Sequence, residues 1–182
     1  MKLKAPLPAI DFVGTTLSNK SIQLANYKGE RILLSFFRNG ACAMCNLRVH
    51  ELIRHYADFE KNGIRILGVF ESSREDMLPY VGQQNLPFEL IADPEAKVYE
   101  LYHLESSQEK IEKVISSGVA EERIKEAAAQ GYHLTKQAGA NFYRLPADFL
   151  IDENFNIVKL HYSDIVIDHM NIADIVNYFN PS

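Results

Sequence analysis

The stretch from residue 31 to residue 70 constrains the fold more than any other part of the chain. RILLSFF (31–37) is a near-continuous apolar run, the pattern of a strand buried on both faces. It passes through Arg38-Asn39-Gly40-Ala41 directly into Cys42-Ala43-Met44-Cys45, which opens a long helix. From Asn46 to Lys61 the apolar residues Val49, Leu52, Ile53, Tyr56 and Ala57 recur at helical spacing, and Asn62-Gly63 stops the helix. IRILGVF (64–70) reads as a second buried strand. Strand, helix, strand in this order is a βαβ unit, which implies parallel pairing through a right-handed crossover.

The flanking sequence extends this unit on both sides. Turn signals at Gly14, Asn19 and Gly29 predict short strands or a hairpin near the N-terminus. Ser72 with Glu75 fits a capping box opening a helix to about Gln84. FELIA (88–92) reads as a strand, and Asp93-Pro94 supplies a cap and first-turn proline for a helix over about 95–104. Within residues 106–137, Ile111, Val114, Ile115 and Val119, then Ile124, Ala127 and Ala128, share helical faces. FLID (149–152), the turn DENFN and IVKLHY (157–162) read as a β-hairpin. Ile172, Ile175, Val176 and Phe179 stripe a last helix capped by Asn171. No repeat or linker divides the chain. The expectation is one unit over residues 1–182, an α/β fold with a central mixed β-sheet flanked by helices and 106–137 as a helical insertion.

The two cysteines carry the chemistry. Unpaired N–H groups and the positive dipole end of a helix stabilise an anion at the helix N-terminus, and a thiol there becomes a thiolate nucleophile. The spacing of three brings both sulfurs to one side of the first turn, within disulfide reach. Arg38 and Arg48 are expected to add positive charge on either side. Such a pair can cycle between dithiol and disulfide through a mixed disulfide. Half of a zinc site is the bland alternative, but no second C-x-x-C and no H-x₃₋₅-H pair stands at finger-like spacing, and no cofactor or metal is called for. His50 and His55 are expected at the surface or packed; inert buried cysteines are the other alternative.

Composition excludes other function classes. A net charge of −5 argues against a nucleic-acid partner. The apolar runs are strand-sized and too short to span a membrane. MKLKAPLPAIDF lacks the apolar core of a secretory signal, which predicts a cytoplasmic protein.

FFRNGACAMCNLR (36–48) resembles the active-site segment of the peroxiredoxin-like branch of the alkyl hydroperoxide reductase/thiol-specific antioxidant (AhpC/TSA) family. LKAPLPAIDF (3–12), SIQLANYKGERILLSFF (21–37), RLPADFLID (144–152) and HYSDIVIDH (161–169) are similar to other segments of that branch. The resemblance implies a thioredoxin-like fold and an antioxidant oxidoreductase. It implies two assignments of the sulfurs: Cys42 as nucleophile with Cys45 resolving, or Cys45 as the peroxide-reducing cysteine of a thiol peroxidase. In the typical peroxiredoxin motif Pro-x-x-x-Thr-x-x-Cys, Arg38 stands at the proline and Cys42 at the threonine. A thiol is a much weaker donor than that hydroxyl, and the departure favours dithiol–disulfide exchange. The resemblance also implies that Leu145-Pro146 is a cis-proline shaping a substrate groove, and that Arg144 lies near an active-site arginine of the superfamily. The expected partners are a small-molecule or protein disulfide, a hydroperoxide, a thiol reductant such as thioredoxin or glutathione, and a second copy of the chain in a homodimer. A non-catalytic thioredoxin-like binding module is the reading from another class. Asp148, Asp168 and His169 stand as proton shuttles or local hydrogen-bonding groups, and Phe142 and Tyr143 as packing residues.

Overall fold

The computed structural model describes residues 2–179. The predicted βαβ unit is present: β4 (Arg31–Phe36) and β5 (Ile64–Phe70) pair in parallel, joined through α1 (Ala43–Arg54) and α2 (Tyr56–Lys61). The long helix expected over this stretch is interrupted at His55, which leaves helical geometry (φ −100°, ψ 8°). β6 (Glu89–Ala92) adds in parallel to β5, and β7 (Ala147–Ile151) pairs antiparallel on the other side of β4. The predicted C-terminal hairpin joins β7 to β8 (Asn156–Tyr162). The N-terminal hairpin of β2 (Val13–Thr16) and β3 (Ser21–Gln23) docks on β6, and β1 (Leu7–Pro8) edges β8. The result is a mixed eight-stranded sheet of order β1-β8-β7-β4-β5-β6-β2-β3.

Strand β4 sits near the middle of this sheet and is buried on both faces, which is why its sequence is apolar without alternation. Leu33 and, just beyond the strand, Phe37 join one apolar cluster with Leu47, Val49 and Leu52 of α1. Ile32, Leu34 and Phe36 join a second cluster on the opposite face, with Tyr99 and Tyr102. Helices therefore cover both faces.

Three local expectations are corrected. The helix after β5 is only α3 (Arg74–Met77), capped by Ser73 rather than Ser72. Pro79 explains its length, because a proline lacks the N–H and its ring clashes with the carbonyl four residues back. The helix after Asp93 is α4 (Lys97–Leu101), beginning after Ala96 in a left-handed conformation, so Pro94 is not in its first turn. Asp93 still caps it, its carboxylate accepting from Lys97 N–H and Val98 N–H at 3.0 and 2.7 Å.

Within residues 106–137 the chain forms α5 (Gln108–Ser117) and α6 (Glu121–Ala129). Ile111, Val114 and Ala127 are buried, and Arg123 of α6 pairs with Glu51 of α1 at 2.6 Å. Ile115 and Val119, grouped with Ile111 and Val114 on one helical face, are 64% and 53% exposed. The last helix, α7 (Ile172–Phe179), is capped as predicted, Asn171 Oδ1 accepting from Ala173 N–H at 2.9 Å. Among the described residues no helix is long and apolar enough to cross a membrane.

Candidate active site

The parallel pairing of β4 with β5 delivers residues 38–42 to the carboxyl end of the sheet, where α1 starts. That turn is tightly held. Glu71 N–H donates to Arg38 O, Gly40 N–H to Ser72 Oγ at 3.0 Å, and Cys42 N–H to Asn39 O. Asn46 Nδ2 reaches back to Gly40 O and Cys42 O at 2.8 and 3.0 Å. Gly40 has no room for a side chain, since a Cβ there would lie 2.8 Å from Met77 Cα and 2.9 Å from Asp76 O. Ser72, lost as a helix cap, is thus part of the frame that shapes the cysteine turn.

Cys42 is the N-cap of α1, its sulfur accepting from Cys45 N–H at 3.3 Å. Cys45 lies one turn in, and the two free cysteines come within 2.6 Å of each other. Arg38 donates to Cys42 Sγ from a guanidinium nitrogen at 3.3 Å, while its backbone N–H donates to Cys45 Sγ at 3.4 Å. Both sulfurs are almost fully buried, at 2% and 3% exposure.

These contacts divide the pair. For Cys42, burial works against the thiolate. It is outweighed by the hydrogen bond from the Cys45 thiol, the Arg38 charge, the Cys45 N–H and the Arg38 hydrogen bond, which together lower its pKa from 9.0 to about 5. For Cys45, burial pushes the pKa well up, and its hydrogen bond to Cys42 and the Cys42 charge add to this; Arg38 opposes them. One group is held as an anion, and its neighbour holds the proton.

The other predicted residues divide between the site and its surroundings. Arg38 is at the sulfurs. Arg48 is not: its guanidinium donates to Met170 O at 2.7 Å, and its charge acts on Asp148. Arg144 forms an ion pair with Glu71 at 2.5 Å, donates to Leu104 O and stacks over the Tyr99 ring. It positions the Glu71 segment that holds the Arg38 carbonyl, rather than meeting a sulfur. Pro146 is buried at the start of β7, but the cis expectation is overturned: among the described residues the cis peptide bond is Ala5–Pro6.

Asp148 and His169 come together, and Asp168 does not join them. The fully buried Asp148 carboxylate accepts from His169 Nδ1 at 3.1 Å, from Met170 N–H at 2.7 Å and from Ser35 Oγ. Burial raises its pKa, yet His169, Arg48 and Ser35 together hold it well below the usual carboxylate range. Asp168 instead pairs with His161 at 2.7 Å. His50 faces the Tyr132 ring, and His55 pairs with Asp58 on the surface.

Sequence reasoning missed Ser72, Glu71, Asn46 and Tyr99, whose hydroxyl lies within 2.8 Å of both Phe37 O and Val69 O. Only Asn46 adjoins the motif in sequence. Phe142, expected merely to pack, accepts a hydrogen bond at its carbonyl from Arg38 and carries the guanidinium 4.6 Å from its ring centre.

Comparison with known proteins agrees with this architecture. The AhpC/TSA family model matches residues 6–160. Peroxiredoxin-2 of Rattus norvegicus is 31% identical in an alignment 98 residues long that covers 47% of this chain and 48% of that protein. The chain spans about half the length of the curated relatives it matches. Among solved structures, Peroxidoxin BcpB from Mycobacterium tuberculosis has a TM-score of 0.68 at 11% identity, covering 97% of this chain and 96% of that one. The mitochondrial 2-Cys peroxiredoxin from Plasmodium falciparum has 0.66 at 17%, covering 95% and 90%. A candidate thiol:disulfide interchange protein DsbE from Chlorobium tepidum has 0.60 at 17%, covering 88% and 86%. With a thioredoxin-like fold, a proximal cysteine pair at its helix N-terminus and a family match over most of its length, this chain belongs to the AhpC/TSA family.

Proposed function

We propose that the protein is a thiol–disulfide oxidoreductase in which Cys42 is the nucleophile and Cys45 the resolving cysteine. The observation that carries this reading is the division of the pair, with Cys42 pKa lowered to about 5 and Cys45 raised. The Cys42 thiolate attacks a substrate disulfide, forms a mixed disulfide and expels one thiolate. Burial still raises the Cys45 pKa, but consuming the Cys42 charge removes both the hydrogen bond and the repulsion that add to it, while the opposing effect of Arg38 stays. Cys45 then loses its proton to the departing thiolate and attacks Cys42 Sγ, releasing the second thiolate, which takes a proton from water. Two electrons pass from the cysteine pair to the substrate, and a thiol reductant such as thioredoxin or glutathione returns them.

Hydroperoxide is the second substrate class, favoured by the family match. There the same Cys42 thiolate attacks the terminal oxygen, the O–O bond breaks, the alcohol departs and Cys42 becomes a sulfenic acid; Cys45 then condenses with it to the disulfide, releasing water. The reading treats residues 1–182 as one thioredoxin-like unit with 106–137 inserted into it.

Equilibration of the protein against a glutathione series, followed by mass, tests the exchange. The pair is expected to lose two hydrogens reversibly at a potential on the order of −270 to −120 mV. Cys45→Ser is expected to trap a mixed disulfide through Cys42, and Cys42→Ser to be inactive in exchange. Rapid dimedone labelling of Cys45 in Cys42→Ser on addition of hydroperoxide would reverse the roles, and a pair that never loses two hydrogens would leave a non-catalytic module.

A further inference from the structure

Cys42 is 2% exposed, yet its side chain forms part of the wall of a cavity of about 740 Å³. The cavity lies between the cysteine turn and the insertion. Ile111, Val114 and Ile124 from α5 and α6, with Leu134, Phe142 and Val166, make its wall largely apolar. Its volume falls within the roughly 300–1,000 Å³ typical of small-molecule sites, which are mostly apolar with a few placed polar groups. Two large apolar residues of this wall, Ile115 and Leu134, are 64% and 65% exposed, although burying such side chains is favourable. The polar group beside the sulfur is Arg38, which also lines the cavity. Its Nε is buried without a hydrogen-bond partner, while the other guanidinium nitrogens hold Phe142 O and Cys42 Sγ.

We propose that this cavity is the substrate site and that it takes small disulfides with an apolar body, in preference to disulfides carried on folded proteins. The proposal rests on the reading of Cys42 as nucleophile and names the substrate class for it. Cys42 is 2% exposed, so a disulfide held on the surface of a folded protein does not reach its sulfur, whereas a dialkyl disulfide fits the size and chemistry of the apolar cavity beside it. The Cys42 thiolate attacks one sulfur of R–S–S–R, the S–S bond breaks, and R–S⁻ departs beside the unpartnered Arg38 Nε. Cys45 gives its proton to that thiolate and then displaces the second R–S⁻ from Cys42. One disulfide is reduced to a thiol and a thiolate, which takes its proton from water, as the cysteine pair is oxidised, and no further oxidant is needed.

The test separates this proposal from the nucleophile reading beneath it. Alkylation of Cys42 in the reduced protein is followed by mass with N-alkylmaleimides from methyl to octyl, each rate divided by that with free glutathione. The ratio is expected to rise about two- to fourfold per added methylene, levelling off once the cavity is filled. Oxidation of the pair should likewise be faster with dipentyl disulfide than with 2-hydroxyethyl disulfide or a protein disulfide. Val114→Ser and Ile124→Ser should flatten the chain-length slope, with circular dichroism confirming the fold; the wild-type slope stands even if a variant does not fold. Prompt reaction with the methyl reagent and no slope would overturn the apolar site and leave the nucleophile intact. No reaction at Cys42 with any maleimide would overturn both, and a protein disulfide reacting as fast as the dialkyl one would overturn the proposed selectivity.

Discussion

Arg38 divides its guanidinium between the Phe142 carbonyl and the Cys42 sulfur, and lays its plane against the Phe142 ring. The position is costly, since a buried cation loses its hydration unless it is paired, and the Cys42 thiolate is the anion that offsets it. Replacing Arg38 removes a charge that favours the anion, so the Cys42 pKa must rise. In Arg38→Met the midpoint of Cys42 alkylation with iodoacetamide should move up from about 5 by about 1–3 pH units. An unchanged midpoint would assign the lowering to Cys45 and the helix end alone. The same linkage acts on stability. A group whose pKa is lowered by folding contributes fully above its ordinary value of 9.0, and the contribution is lost as pH falls through about 5. Between those limits, the stability of the variant should depend less on pH than that of the wild type.

At the scale of elements, the cysteine turn is made by β4 but shaped by the segment after β5. Ser72 Oγ accepts the buried Gly40 N–H, and the Glu71 N–H holds the carbonyl of Arg38. The Arg144–Glu71 ion pair, stacked on Tyr99, fixes that segment from a third direction. Ser72→Ala leaves the Gly40 N–H without its partner in a site that excludes water. The expected loss is about 1–3 kcal/mol, read as a lower urea midpoint with an unchanged slope. A loss below about 0.5 kcal/mol, the scale of ordinary surface substitutions, would mean that the turn holds without this bond.

For the whole molecule, residues of α5 and α6 line the cavity that Cys42 also lines. α6 is bound to α1 through the Arg123–Glu51 pair and the buried Ala127, so the segment is part of the packed structure and not an appended arm. Exchanging residues 108–136 for a short Gly/Ser loop removes one wall of the cavity while leaving every strand of the sheet in place. The far-ultraviolet dichroism should keep its strand signal with a lowered Tm. The rate with a bulky protein disulfide should rise relative to that with a small polar disulfide. Equal changes in both rates would show that the segment does not select substrates.

The sequence alone determined what depends on local periodicity and adjacency. The apolar run of β4, the helical spacing after it and the apolar run of β5 specified the βαβ unit, and the motif placed Cys42 and Cys45 at the helix N-terminus. Arg38 was legible for the same reason, being four residues from Cys42 and at the end of the strand. The family resemblance added the thioredoxin-like fold, and the comparisons uphold it. Tertiary structure decided whatever depends on groups far apart in the chain. Ser72 faces the turn because β5 runs parallel to β4, and Arg48 turns from the sulfurs toward Met170 and Asp148 because β7 and the segment before α7 meet its side of α1. Arg144 was drawn to Glu71, and Leu145–Pro146 did not take the cis form that the resemblance implied. The separation of the two thiols also belongs to the folded chain. Spacing puts both sulfurs on one side of a helical turn, but desolvation, one guanidinium and the direction of their shared hydrogen bond decide which of them holds the proton.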